Sequence, residues 1–359
     1  MSVWEIISSL GTTSNYCDYS IRDIKMKANL NVAGMSIEPG RLAYSRVAVP
    51  NTFYPDGAVV DIPLILINGK YEGPTLYLDA ATHGSEVAGT EVLHRITREV
   101  IDPEKLHGSV IAIPIVNIPA FRICSMSNPH DFGNTNRAYP GDPKGSMNSK
   151  IAYFVLEIAK KADYAITFHT LSHASVALPF SQVREVGDRR INKKMKLMAK
   201  TFGITCSREK WSGKPTCSSF SAIAPTLGLP TILVELQSQY VYSRSEVEVG
   251  IRGVLNVMKS LNMIKGRMER QHGVTIIRKE GLKWVSMGNY ERGGFLRPIA
   301  ELGQKVRRGE EIAIFVDAVG SKVLSIKSPA NGYVMAYSAA FVKPVVKEGG
   351  WLAIVFAEK

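Results

Sequence analysis

From Val59 onward the chain alternates between short apolar runs and amphipathic stretches. The runs Val59–Ile67, Thr75–Ala81, Val110–Val116, Tyr164–Phe168 and Thr231–Leu236 are rich in β-branched residues and short, so they predict buried strands. Between them the period changes. Ala152, Val155, Leu156 and Ala159 fall at i, i+3, i+4, i+7 after Ser149, a candidate N-cap. Ile191, Met195, Met198 and Phe202 repeat the stripe after Asp188, with Gly203 as the stop signal. Val247, Ile251, Val254, Leu255, Met258 and Leu261 predict a third helix. Strands alternating with helices argue for an α/β unit with a mixed sheet flanked by helices. Ahead of it, the first ~58 residues mix small apolar groups with Gly, Asn and Pro, and predict irregular structure plus an edge strand. After about Lys265 no helical period survives. Short strands punctuated by glycine, as in GNYERGGF, ELGQKVRRGEE and PANGY, predict a separate all-β domain. The expected division is therefore 1–264 and 265–359.

Composition narrows the class. At 359 residues and 45% hydrophobic, the chain can bury a substantial core. No apolar run approaches the ~20 residues of a membrane span, and MSVWEIISSL has neither a basic leader nor a cleavage-site pattern. Cys17, Cys124, Cys206 and Cys217 form no close pair and read as free thiols of a reducing compartment, so a cytoplasmic location is expected. The net charge is +12, and the segment from Asn262 onward holds 16 Lys/Arg against 9 Asp/Glu. No basic block is interleaved with aromatics, so the charge points to anionic small-molecule substrates rather than nucleic acid or a membrane surface. Assembly into homo-oligomers stays open.

The chemistry concentrates at strand ends. In Leu76-Tyr-Leu-Asp-Ala-Ala-Thr-His83-Gly84-Ser85-Glu86 an apolar strand runs into small residues and then presents an imidazole and a carboxylate three residues apart. Both are suitable zinc ligands, and two His with one Glu plus water is a recognised catalytic set. HxxE alone is weak, because a surface His beside a capping Glu gives the same pattern. Tyr164-Ala-Ile-Thr-Phe168-His169-Thr170 supplies a third donor in the same strand-end context. His173 lies in the loop beyond, His94 sits on a predicted helix, and His107, His130 and His272 have loop contexts. Glu235 is a carboxylate inside the apolar strand Thr231-Ile-Leu-Val-Glu235-Leu; an unpaired charge there is costly, so it pairs, binds metal or serves as a base. The Gly/Pro/Asn-rich loop from Asn128 to Gly141 contains Asn136 and Arg137, a group suited to gripping a carboxylate.

Taken together, His83-Gly-Ser-Glu86, Asn136-Arg137-Ala-Tyr-Pro-Gly141, Phe168-His169-Thr170 and Val234-Glu235-Leu236 resemble the aspartoacylase and succinylglutamate desuccinylase family of the zinc carboxypeptidase superfamily. The resemblance spans about Val59 to Leu261. It implies a zinc-carboxypeptidase-like fold with one Zn²⁺ held by His83, Glu86 and His169. It makes Glu235 the general base and has Asn136 and Arg137 contact substrate. The β-rich tail, with Gly294-Phe-Leu-Arg-Pro and Ser328-Pro-Ala-Asn-Gly332-Tyr-Val, resembles the barrel-sandwich domain of bacterial relatives. Three departures stand out. Met126 falls where relatives place an oxyanion-stabilising Arg, and Arg122, four residues earlier, is the candidate replacement. Thr167 stands where relatives commonly have Asp. Ala174 or Ser175 stands where they have a further Arg, which disfavours a substrate as rich in carboxylates as N-acetylaspartate or succinylglutamate. The expected function is zinc-dependent hydrolysis of a small, anionic N-acyl amino acid or related N-acyl amine. The alternatives are a metallocarboxypeptidase acting on peptide C-termini and a non-catalytic member of the fold.

Overall fold

The computed structural model describes residues 27–171, 175–211, 218–237, 242–287, 295–337 and 353–358. Cys17, Cys217, His173, Ala174 and Gly294 lie outside them. The chain starts with a short hairpin, β1 (Leu30–Val32) and β2 (Met35–Ile37), then runs through β3 (Arg41–Phe53), β4 (Val59–Asn68) and β5 (Tyr71–Asp79). There follow α1 (Ala88–Arg95), β6 (His107–Ile113), α2 (Ile118–Arg122), α3 (Met147–Ala159) and β7 (Tyr164–Thr170). The next elements are β8 (Val176–Ala177), β9 (Phe180–Glu185), α4 (Arg189–Phe202), β10 (Thr205–Lys210), α5 (Phe220–Thr226), β11 (Thr231–Leu236) and α6 (Arg244–Ser260).

Eight of these strands form one mixed sheet in the order β10-β9-β11-β7-β5-β6-β4-β3. The neighbours β11, β7, β5 and β6 are parallel, so their carboxyl ends share one rim, where open α/β sheets place their sites. Strand alternation divides the side chains between two cores. Leu76, Leu78, Ile166, Phe168, Ile232, Val234 and Leu236 pack under α1, α4 and α6. Tyr77 and Ala165 face α3 and α5. With a period of two, Asp79, Thr167, His169 and Glu235 share that second face.

The five apolar runs appear as β4, β5, β6, β7 and β11, and the three amphipathic stripes as α3, α4 and α6. Asp188 caps α4 and Gly203 ends it in the left-handed region, as its sequence signals predict. Two details differ. Ser146 rather than Ser149 caps α3: its extended backbone frees its hydroxyl to accept the Ser149 N–H, so Ser149 is already inside the first turn. The edge strand of the early segment, β3, runs for 13 residues antiparallel to β4.

After residue 265 the described residues contain strands and no helix: β12 (Lys283–Met287), β13 (Phe295–Pro298), β14 (Lys305–Val306), β15 (Glu311–Val316), β16 (Lys322–Lys327), β17 (Gly332–Tyr337) and β18 (Ala353–Ala357). One sheet runs β12-β18-β17-β14, and β13, β15 and β16 form another. β8 leaves the main sheet and pairs antiparallel with β17, Ala177 opposite Ala336. The chain just beyond His169 is therefore clamped by the C-terminal region. Leu171, Leu178 and Phe180 pack there against Met335, Ile354 and Phe356, the Phe180 and Phe356 ring centroids lying 5.0 Å apart. No described helix is long and apolar enough to cross a membrane.

Candidate metal centre

His83, Glu86 and His169 converge. One donor atom from each lies within 4.8 Å of the others, and all three side chains are buried. The approach to His83 is a tight path after β5: Ala81 sits at φ 49°, in the left-handed region that side chains rarely adopt. Gly84 then passes so close to α2 that a Cβ on it would lie 2.1 Å from the Ala120 carbonyl carbon. Its N–H donates to Ser125 O at 2.7 Å. Glycine between His83 and Glu86 is therefore a steric requirement. His169 arrives from β7, two strands' width of core away in sequence but adjacent in the sheet, since Asp79 on β5 lies opposite Thr167.

Glu86 is shared by both imidazoles. His83 Nδ1 lies 2.7 Å from Oε1, and His169 Nδ1 lies 2.8 Å from Oε2, which also accepts the Thr170 N–H at 3.2 Å. Burial alone would raise the Glu86 pKa, but the charges and hydrogen bonds of the two histidines outweigh it and hold the carboxyl well below its usual range. Burial likewise pulls His83 down, yet the Glu86 carboxylate and the hydrogen bond to Asn134 win and leave it raised. Asn134 Oδ1 is 3.1 Å from His83 Nε2 and also accepts the Asn136 N–H at 2.8 Å, so it is fixed as an acceptor. A proton on Nε2 leaves the Nδ1 lone pair free to ligate. Two Nδ1 atoms and a carboxylate around one point suit a tetrahedral divalent ion with one position open, which is the donor set of a zinc site.

Glu235 pairs in register with His169 across the β7–β11 ladder. It keeps part of its surface open, while Oε2 is sealed without a hydrogen-bond partner among the described residues. Burial and then the Glu86 charge raise its pKa well above the ordinary range, and Arg184 opposes them. Nearby, Asp79 is fully buried, and neither of its oxygens nor His169 Nε2 has a hydrogen-bond partner within bonding geometry among the described residues. Burial pushes Asp79 up to about 6, with Thr167, His169 and Tyr77 opposing it only in part.

The Asn136–Arg137 segment is braced from both sides. Asn117 Nδ2 donates to Thr135 Oγ1 at 2.8 Å, Thr135 donates to Asn148, and the Asn148 N–H reaches Asp131 at 2.7 Å, tying the loop to α2 and α3. Asn136 Oδ1 accepts the Phe220 N–H at 3.3 Å, and the exposed Arg137 donates to the Asn136 carbonyl at 2.9 Å. Arg122 is placed differently: its guanidinium lies 4.5 Å from the centre of the Tyr54 ring, and it makes no described contact with the cluster. His94 is half-buried on α1, His107 stacks on Tyr71, and His130 meets Tyr54 edge-on.

Asn134, Asp79 and Arg184 escaped the sequence reading. Asn134 stood within the loop already singled out, but only its distance to His83 distinguishes it from its neighbours. Asp79 carries the signal that exposed Glu235, a carboxylate in an apolar strand. Arg184 lies on β9, whose sequence FSQVRE breaks strand alternation with polar groups.

The chain is similar to several known proteins. A family model described as the succinylglutamate desuccinylase/aspartoacylase catalytic domain matches residues 72–261. The N-alpha-acetyl-L-2,4-diaminobutyric acid deacetylase of Halomonas elongata is 24% identical over 317 residues, covering 83% of this chain and 91% of that protein. A product-bound structure of the ectoine utilization protein EutE (DoeB) from Ruegeria pomeroyi superposes with a TM-score of 0.74 at 22% identity, over 90% of this chain and 98% of that one. A succinylglutamate desuccinylase/aspartoacylase from Rhodobacter sphaeroides also gives 0.74, at 25% identity, over 89% of this chain and 96% of that one.

Proposed function

Because this chain belongs to the succinylglutamate desuccinylase/aspartoacylase family, we propose that it is a zinc-dependent deacylase that hydrolyses the amide of a small N-acyl amino acid. The observation that carries the proposal is the convergence of His83, Glu86 and His169, with Glu235 next to His169 on the adjoining strand. Those three side chains would hold one Zn²⁺ ion, which would supply Lewis acidity and a water pKa lowered toward ~7. Glu235 then takes the proton of the attacking water and returns it to the departing nitrogen. The raised pKa of Glu235 belongs to the metal-free site; a dication beside it favours the carboxylate, the form a base needs. His83 and His169 are kept in place by Asn134, Glu86 and the β7 backbone, so ligand geometry is set before substrate arrives. Asn136 and Arg137 orient the substrate's anionic end. Arg122 is assigned charge stabilisation from outside the cluster, and a near-wild-type rate for Arg122→Ala would remove that role.

The diaminobutyrate deacetylase of Halomonas elongata makes N-acetyl amino acids the first substrates to try. The test is hydrolysis of acetyl-, succinyl- and formyl-amino acids by zinc-reconstituted protein, with Glu235→Gln alongside. Turnover should fall about 10²–10⁴-fold in that variant while zinc stoichiometry stays at one. Undiminished turnover in Glu235→Gln would remove the assigned base, and cleavage of peptide C-termini in preference to N-acyl amino acids would replace the deacylase reading with a peptidase one.

A further inference from the structure

A second charged group lies on the same face of the sheet, on strands that none of the motifs touch. Arg184 on β9 and Glu209 on β10 are direct register partners in a parallel pair. Arg184 shares the sheet face of Glu235: Val183 packs on the opposite side under α4, so alternation turns Arg184 toward α5. Neighbouring opposite charges on one sheet face ordinarily close into an ion pair. These do not. No described carboxylate oxygen lies within 4 Å of the Arg184 guanidinium, although Glu209 is the strongest charge acting on it. Arg184 Nη1 donates to the hydroxyls of Ser219 and Ser221, the latter at 3.1 Å. Nε and Nη2 make no hydrogen bond to any described residue. Glu209 in turn accepts one bond, from Gln182 Nε2 at 3.3 Å.

The two serines fix where this guanidinium sits. They flank Phe220, whose N–H is bonded to Asn136 Oδ1, so Arg184 is connected through α5 to the Asn136–Arg137 loop. Arg184 lies in the electrostatic field first of Glu209 and then of Arg137 and Glu235. A largely buried cation hydrogen-bonded only to neutral hydroxyls, with Glu209 and Glu235 acting on it from beyond ion-pair distance, keeps donors to spare for a further anion. A planar guanidinium with two free nitrogens matches a carboxylate. The unpaired Glu209 beside it offers the opposite charge one strand further from the cluster, where desolvation raises its pKa and Arg184 lowers it.

We propose that Arg184 and Glu209 are the specificity-determining pair for the amine half of the substrate, Arg184 taking its carboxylate and Glu209 a side-chain ammonium. The substrate class is then an N-acylated diamino acid, one carboxylate and one free amine, rather than a dicarboxylate. This assignment rests on the deacylase reading of the adjacent site, and it extends that reading to residues outside the motifs. It also accounts for the absence of the further Arg expected near Ser175: the cation is supplied from β9 instead. Ser175 spends its hydroxyl on the Leu171 carbonyl at 2.9 Å.

The experiment compares four N-acetyl substrates of similar size: N-acetyl-2,4-diaminobutyrate, its carboxamide, N-acetyl-2-aminobutyrate and N-acetylaspartate. Zinc-loaded wild type, Arg184→Met, Arg184→Lys and Glu209→Gln are assayed, with calorimetric binding of the corresponding free amino acids measured in parallel. Wild type should prefer the diamino acid. In Arg184→Met the preference for carboxylate over carboxamide should fall about tenfold to a hundredfold, carried by KM, with part restored in Arg184→Lys. In Glu209→Gln only the preference for the ammonium-bearing substrate should fall. An unchanged carboxylate-to-carboxamide ratio in Arg184→Met overturns the proposal, as does an equal loss across all four substrates, which marks a structural role. Preference for N-acetylaspartate overturns the Glu209 assignment. If no amide is cleaved, the hydrolase reading fails on its own, and recognition is then decided by calorimetry: free diaminobutyrate binding wild type about tenfold or more tighter than Arg184→Met sustains it, and equal binding ends it.

Discussion

The shared carboxylate makes a quantitative prediction about metal and pH. In the metal-free protein Glu86 is bracketed by His83 Nδ1 at 2.7 Å and His169 Nδ1 at 2.8 Å, and the His83 pKa is raised above that of an ordinary imidazole. A metal ion entering the cluster must displace the proton that His83 shares with Glu86. Above the folded-state pKa that proton is already gone; below it, each pH unit weakens metal binding about tenfold. With zinc at about 100 times its Kd at pH 8, loading stabilises the fold by about 2.7 kcal/mol, or about 4 °C in Tm for a chain of this size. Two pH units into the protonated range the same zinc sits near its Kd, and the gain shrinks to about 0.4 kcal/mol. The metal-free protein moves the other way. A His with a raised folded pKa contributes stability that is complete below about 6.5 and lost as pH rises through the folded value. The gap between loaded and metal-free Tm should therefore widen with pH. Scanning calorimetry of metal-free and zinc-loaded protein between pH 5 and 8.5 measures it, with Glu86→Gln as the control in which the gap closes. A zinc-induced shift that is the same at pH 5.5 and pH 8, or that survives in Glu86→Gln, would refute the reasoning.

Three further outcomes follow from individual residues. Gly84→Ala places a methyl 2.1 Å from the Ala120 carbonyl carbon, so the His83 loop must separate from α2; a loss of about 1–3 kcal/mol in denaturant stability and about 10² in turnover is expected, checked by urea titration and equilibrium dialysis of zinc. Asp79→Asn should stabilise the metal-free protein at pH 7, because ionising a carboxyl raised from 3.8 to about 6 costs the folded state up to about 3 kcal/mol. The gain should fade as pH drops through that window and vanish below about 4, and a pH-independent difference in urea unfolding would contradict it. Ser243→Ala removes the capping box with Glu246 at the start of α6 and should cost about 1 kcal/mol without altering zinc stoichiometry.

The clamp between β8 and β17 gives the C-terminal strands a place in the argument. The chain leaving His169 reaches β8 within a few residues, so the C-terminal sheet holds the outer end of the segment carrying His169. Packing of Leu178 and Phe180 on Ile354 and Phe356 makes that attachment a buried one.

Much of this molecule could be read along the chain because the relevant physics is local. Apolar runs of strand length, stripes at helical spacing, Asp188 before α4 and Gly203 after it each express a backbone preference that neighbours alone decide. His83, Glu86, His169 and Glu235 were visible for the same reason: polar donors at the ends of apolar strands stand out against their context. Strands β9 and β10 were not visible, since Gln182, Arg184 and Glu209 lie on one polar face of the sheet and erase the alternation that marks a strand. Folding alone decided that Asp79 lies opposite Thr167, that Asn134 rather than a neighbour reaches His83, and that Arg184 donates to Ser219 and Ser221. Such contacts depend on strand register and on loops brought together from distant parts of the chain, and no short-range pattern encodes which of several polar residues will meet.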